Sequence, residues 1–204
     1  QKHVGIEGHY PVILDVFLES FVKLGAFEKE NIFRQAGNIA ELNALKTDVN
    51  KKFWSSAKYD IPSKDPYVVT QLFMTWLMEM PEPLIPNDHF IECASCNNFK
   101  DCHSALEKLP KMNQETITKI IKILQEATQP SSIEKTKMGV HNVAIVFAPL
   151  ILPTPATFSD ENLIDFSPLG EDGDVKFLKN LIGLSKFEDV KYQELPLPPV
   201  PPIF

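Results

Sequence analysis

Arginine is almost missing from this 204-residue chain: of its twenty Lys and Arg side chains only Arg34 is arginine. Lysine supplies a point charge, but a planar, permanently charged fork that grips two phosphate oxygens requires arginine. The rarity marks position 34, although on composition alone a leftover surface charge fits as well. Basic clusters are missing too. Net charge is −7, and the longest basic run, Lys51-Lys52, reads as the solvated end of a helix. This argues against nucleic acid, which wants a concentrated basic face, as the main partner. No apolar run reaches the length of about 18 residues that spans a bilayer, so no transmembrane segment is expected. The opening Gln1-Lys2-His3-Val4 has no apolar leader and reads as the start of an excised domain. Three cysteines, an odd number without scaffold spacing, point to a reducing, cytoplasmic setting. Gly-x-Ser-x-Gly, paired-carboxylate and Gly-rich phosphate motifs are all lacking, which argues against a self-contained hydrolase.

His89, Cys93, Cys96, Cys102 and His103 lie close enough in sequence to raise a metal site. Cys93 and Cys96 have the spacing of one zinc pair. Cys102 and His103 are adjacent, and neighbours seldom both reach one tetrahedral ion. Packing is the preferred reading, and no metal is expected.

What the chain does contain is helical periodicity. Ile13, Val16, Phe17, Phe21 and Leu24 form an apolar stripe on a helix that begins near Tyr10-Pro11 and stops at Gly25. Asn38 opens a second helix, with Glu41 at capping-box distance and Leu42, Leu45, Val49 and Phe53 on its buried side. Arg34 therefore falls on a short loop between two helices, where a reaching side chain is commonly mounted. Asp65-Pro66 starts a third helix, which runs to Met80 and is stopped by Pro81-Glu82-Pro83. Shorter helices are expected near 88–96 and 102–109. A longer one covers 113–128, another covers 132–147 and stops at Pro149, and a last one covers 174–184 with Val175, Leu178 and Ile182 inward. A short helix is also expected at 160–165. The ending Leu195-Pro-Leu-Pro-Pro-Val-Pro-Pro-Ile-Phe204 reads as extended polyproline. It suits a linker, a strap along its own domain, or a ligand for a reader of Pro-rich peptides, though no Lys or Arg lies within it to orient docking.

Three segments together resemble the Rho-GAP family. Asn31-Ile-Phe-Arg34-Gln-Ala-Gly37-Asn is similar to the family loop Gly-Ile/Leu-Phe-Arg-x-Ser/Ala-Gly. The segment from Pro66 to Pro86, ending Leu-Met-Glu-Met-Pro-Glu-Pro-Leu-Ile-Pro, is similar to the family helix that ends Leu-Arg-Glu-Leu-Pro-Glu-Pro-Leu. Met138-Gly-Val-His-Asn142-Val-Ala-Ile-Val-Phe147-Ala-Pro149 is similar to Met-x-x-x-Asn-Leu-Ala-x-Val-Phe-Gly-Pro. Order and spacing agree as well.

The resemblance implies a single all-α domain of about nine helices over 1–190, followed by a Pro-rich tail at 191–204. It implies a GTPase activator that supplies a catalytic arginine in trans, not a self-contained enzyme. The partner would be a Rho-family small GTPase in its GTP-bound form, which itself carries GTP and Mg²⁺; this chain needs no cofactor of its own. Arg34 would be the finger, Gly37 would let its loop turn sharply, and Asn142 would be a second polar contact near the nucleotide. Recruitment to membrane or cytoskeleton would fall to other parts of a parent protein.

Two departures stand out. The family helix usually carries Lys and, four residues later, Arg, where this chain has Met74 and Met78. At about 100° per residue, with Val69 as zero, Leu72, Phe73, Trp76 and Met80 lie within about 60° and define a core face. Met74 then falls near 140° and Met78 near 180°, both expected to point away from the core. Methionine is adaptable and frequent on binding surfaces. Either the pair makes an apolar contact to the GTPase, or the module is weakened and binds a GTPase or scaffold without strong activation, or a neighbouring element covers both. Ala148 and Asn31, each in place of a family glycine, are milder departures.

Overall fold

A computed structural model describes residues 10–53, 59–154 and 173–183. Among them are nine α-helices and two short 3₁₀ turns, with no strand. Helix α1 is Ile13–Lys23, α2 Ile39–Lys52, α3 Pro66–Met78, α4 Phe90–Ala94, α5 Phe99–Leu106, α6 Lys111–Ala127, α7 Pro130–Thr136, α8 Val140–Ile151 and α9 Gly173–Ile182. The all-α expectation is met. The expected helix at 160–165, the 190/191 boundary and the Pro-rich tail lie outside the described residues.

Local signals account for most helix ends. Gly25 takes φ 61°, a left-handed conformation that a Cβ disfavours, and so terminates α1. Asn38 caps α2 by accepting from the Glu41 backbone N–H at 3.0 Å. Glu41 does not return the bond; its carboxylate accepts instead from the Ser63 hydroxyl at 2.6 Å. Asp65 caps α3 through the Tyr67 N–H at 2.9 Å, and Pro66 occupies the first turn.

The helix expected at 132–147 is two helices. Thr136 ends α7, Lys137 turns left-handed at φ 59°, and α8 restarts at Val140. Met138, between them, is fully buried and its N–H donates to the Thr136 hydroxyl at 3.1 Å, so packing and a hydrogen bond both hold the break. Nor does Pro149 stop α8, which continues to Ile151. The proline removes the bond that the Ile145 carbonyl would receive. Ile145 is exposed, so water can satisfy that carbonyl.

The core is aromatic where α1, α3 and α8 meet. Phe73 of α3 lies 5.2 Å from Phe17 and 5.7 Å from Phe21, ring centre to ring centre, and 5.8 Å from Phe147 of α8. All four rings are fully buried. Such rings bury 150–250 Å² each, at about 25 cal/mol per Å², so this cluster is a main source of cohesion. Helix α9 closes the other side by packing along α8, with Phe177, Leu178, Leu181 and Ile182 buried. Val175, expected inward, is only half-buried. Among the described residues one charge is enclosed: Lys119 of α6 is ion-paired with Asp15 and lies 5.3 Å from the centre of the Tyr10 ring.

The three cysteines are buried and free. Burial pushes the Cys93 and Cys102 thiols up to about 12 and raises Cys96 as well. A metal-binding thiolate requires the opposite shift. Among the described residues no group of three or more His, Cys, Asp or Glu side chains suits a metal ion. No helix among them is long and apolar enough to cross a membrane.

Candidate functional site

Arg34 lies on a tight loop between the first 3₁₀ turn and α2. The loop is built as an anchored base and an exposed tip. Ile32 and Phe33 are buried in the core, while Arg34, Gln35 and Ala36 are exposed. Phe33 is the wedge: its ring meets Phe147 edge-on at 5.0 Å and Phe21 at 6.2 Å. Turning Phe33 inward sends the next side chain outward. The chain achieves this with two left-handed residues, Asn31 at φ 56° and Phe33 at φ 68°. Asparagine tolerates that region better than most residues, which explains why Asn31 can stand where the resembling family has glycine. For Phe33 the strain is offset by burial of its ring.

Hydrogen bonds close the turn. The Asn31 carbonyl accepts from the N–H groups of Arg34 at 3.0 Å and Gln35 at 2.9 Å. The Asn31 N–H donates to the Thr136 carbonyl at 2.7 Å, which ties the loop to the end of α7. On the opposite side the Tyr67 hydroxyl donates to the Glu30 carbonyl at 3.0 Å, and the Gly37 N–H donates to Gln71 Oε1 at 2.9 Å. The Arg34 guanidinium makes no hydrogen bond or ion pair among the described residues. A permanently charged fork thus projects from a rigid base.

Asn142 is brought to the same region. It sits on the first turn of α8, half-buried, and its side-chain amide donates to the Lys137 carbonyl at 3.4 Å. Lys137 follows Thr136, the residue whose carbonyl holds Asn31. Two successive carbonyls at the α7–α8 break therefore connect the loop and Asn142. Gly37 is required by close approach, because a Cβ there would lie 2.6 Å from the Val68 backbone nitrogen and Cγ2.

The methionines separate. Met78 is exposed, 66% of its surface, as expected, and borders a groove of about 330 Å³ with Pro83, Pro149 and Pro153. Met74 is half-buried and packs against the core, which corrects the expectation that both point away. The reason is that α3 has neighbours in α1, α2 and α8, so its free sector is narrower than a helical wheel suggests. Leu77, not Met80, completes the buried side; Trp76 and Met80 are half-buried.

Sequence reasoning missed Tyr67 and Gln71. A signal was there: on the wheel that singled out Met74 and Met78, Tyr67 falls near 160° and Gln71 near 200°, on the same face. The role of Thr136 toward the loop had no sequence signal, since what it offers Asn31 is a backbone carbonyl.

Residues 11–156 match the RhoGAP domain family. The chain belongs to that family. GTPase activating protein homolog 3 of Dictyostelium discoideum is 32% identical over 156 residues, which are 76% of this chain and 11% of that protein. Rho GTPase-activating protein 21 of Mus musculus is 26% identical over 162 residues, 76% of this chain and 8% of that protein. The chain thus spans a small part of the length of these relatives. Among solved structures, human Rho GTPase activating protein 15 superposes with a TM-score of 0.70 at 22% identity, covering 86% of this chain and 82% of that one. The BH domain from Graf, the GTPase regulator associated with focal adhesion kinase, superposes with a TM-score of 0.65 at 19% identity, covering 84% and 89%. These likenesses agree with the helical architecture. The RhoGAP membership makes GTPase activation the class of function that the Arg34 loop has to be measured against.

Proposed function

We propose that this RhoGAP domain stimulates GTP hydrolysis by a Rho-family small GTPase, and that Arg34 is the arginine supplied in trans. The observation that carries the reading is the Arg34 loop: an exposed guanidinium on a tip that follows the buried pair Ile32 and Phe33, with Asn31 hydrogen-bonded to the α7–α8 break and Gly37 to α3. A side chain that must enter another protein's nucleotide site has to be free at its end and fixed at its root. The reaction's other parts, GTP, Mg²⁺ and the residue that orients water, belong to the partner.

Arg34 would spread its positive charge over the phosphoryl oxygens as negative charge develops on them. A finger of this kind contributes about 10³–10⁵ in rate, roughly 4–7 kcal/mol of the barrier. Arginine suits the task because its planar fork makes paired hydrogen bonds to phosphate oxygens and stays charged at any working pH. Asn142, beside the loop, is the second polar contact to the partner. Met78 is an apolar contact on the same side of α3.

The test is GTP hydrolysis by a panel of Rho-family GTPases with the domain added, beside Arg34→Ala. The expected result is a stimulation of several hundredfold or more for at least one member. Arg34→Ala should lose it while still binding. A second reading is favoured by Met74 and Met78, where charged residues are usual in the family: a module that binds a GTPase or scaffold without strong activation. Binding by the parent domain without stimulation of any panel member selects that reading.

A further inference from the structure

The Arg34 loop is tied at both ends to one helix. Glu30 enters the loop and Gly37 leaves it. Tyr67 and Gln71 stand one turn apart on the same face of α3. The Tyr67 hydroxyl holds the Glu30 carbonyl at 3.0 Å, and Gln71 Oε1 holds the Gly37 N–H at 2.9 Å. Between these two ties lie the buried pair Ile32 and Phe33 and the exposed tip 34–36.

The two ends are not equally secured by other contacts. The entering end has a further tie, from the Asn31 N–H to Thr136, and the core burial of Ile32 and Phe33. The leaving end passes through exposed Gln35 and Ala36 before it reaches Gly37. Apart from the turn bond at Gln35, the Gln71 side chain is the hydrogen-bonding partner found between Arg34 and the α2 cap among the described residues. Gly37 lies directly against Val68, where an added Cβ would come within 2.6 Å of its backbone nitrogen.

We propose that Gln71 is a positioning residue that sets the reach of Arg34 by seating the leaving end of its loop on α3, with Tyr67 seconding it at the entering end. The inference rests on the function proposed above. Gln71 touches no nucleotide; it acts through Gly37. With Gln71 lost, the tip gains freedom to swing about its anchored base. The partner is then bound as before, but Arg34 arrives misplaced.

The experiment is single-turnover GTP hydrolysis by the responsive GTPase over a range of domain concentrations. It compares the parent domain with Gln71→Leu, Gln71→Glu and Tyr67→Phe. Gln71→Leu, which removes the acceptor at similar size, should lower the maximal stimulated rate by about 10- to 100-fold, the cost of a misplacement on the order of 1 Å. The half-saturating concentration should stay unchanged. Gln71→Glu, which keeps an acceptor oxygen, should restore most of the rate, and Tyr67→Phe should lie between. Affinity for the GTPase carrying GDP and aluminium fluoride should fall in parallel with the rate. Affinity for the GTPase carrying a non-hydrolysable GTP analogue should hold. A Gln71→Leu domain with the parent's maximal rate, or an equal loss of both affinities, overturns the assignment. If Gln71→Leu does not fold, Gln71→Met, which keeps an unbranched side chain of similar length without the acceptor oxygen, is judged by the same criteria. A parent domain that stimulates no GTPase sinks the proposed function and this role together. A stimulating parent beside an unaffected Gln71→Leu removes this role alone.

Discussion

Gly37→Ala tests how finely the Arg34 loop is seated. The added Cβ would lie 2.6 Å from Val68 Cγ2 and backbone nitrogen and 2.7 Å from its Cα. Carbon atoms in ordinary contact are about 3.5 Å apart, so the loop has to retreat by roughly 0.9 Å. Val68 cannot yield in its place, because it is fully buried and two of the three contacts are to the backbone of α3. Retreat stretches the Gly37–Gln71 bond from 2.9 Å toward the limit of a useful hydrogen bond. That costs about 1 kcal/mol of stability, part of which the lower chain entropy of alanine in the unfolded state returns. Unfolding in urea should therefore change little. Catalysis should change far more: a misplacement of about 1 Å is worth about 10²-fold, or roughly 2.7 kcal/mol of barrier. The assay is single-turnover hydrolysis by the partner GTPase beside urea unfolding of the domain alone. Gly25→Ala is the control, since Gly25 has φ +61° and a Cβ there would meet nothing within 4 Å. It should cost about 1 kcal/mol of stability and leave stimulation intact. A Gly37→Ala domain that stimulates as well as the parent refutes the reasoning.

Asn31→Ala should lower stability by about 1 kcal/mol in urea unfolding, and Asn31→Gly should not, because φ 56° strains a residue with an inert Cβ. Met78→Ala should weaken GTPase binding roughly fivefold, from about 1 kcal/mol of lost apolar burial, with the maximal rate unaltered; titration of half-saturating concentrations checks it. The buried thiols set a pH limit. Cys93 and Cys102 are held neutral in the fold, up to about 12, whereas the unfolded chain ionises near 9, so their contribution is complete below pH 9 and is lost as pH rises toward 12. Urea unfolding at successive pH values should show this fall, and Cys102→Ala should make it shallower.

The helices and the Arg34 loop were legible in sequence for local reasons. Apolar stripes at helical spacing, Asn38 and Asp65 as caps, and Gly25 as a stop act within a few residues of where they stand. The break at 137–139 was not legible. The apolar pattern continues across it, while in the fold Lys137 is left-handed, Met138 is buried and its N–H donates to the Thr136 hydroxyl at 3.1 Å. Pro149 misled for a different reason: in the last turn of α8 its missing N–H costs a single bond, to the carbonyl of the exposed Ile145, and the helix runs on to Ile151. Met74 was misjudged because a wheel describes one helix, and three others surround α3.

From sequence alone came the solitary arginine, its place on a short loop between two helices, and the family resemblance of three ordered segments. These depend on residue type and spacing, which the chain carries whether folded or not. Tertiary structure alone decided what holds that arginine in place. The ties run from Glu30 to Tyr67, from Gly37 to Gln71 and from Asn31 to Thr136, across 34 to 105 positions of sequence. Two of them end on a backbone carbonyl, and the Asn31–Thr136 bond is backbone at both ends, a group which every residue possesses and no residue name reveals. Such a bond exists only once helices have packed and brought distant backbone together.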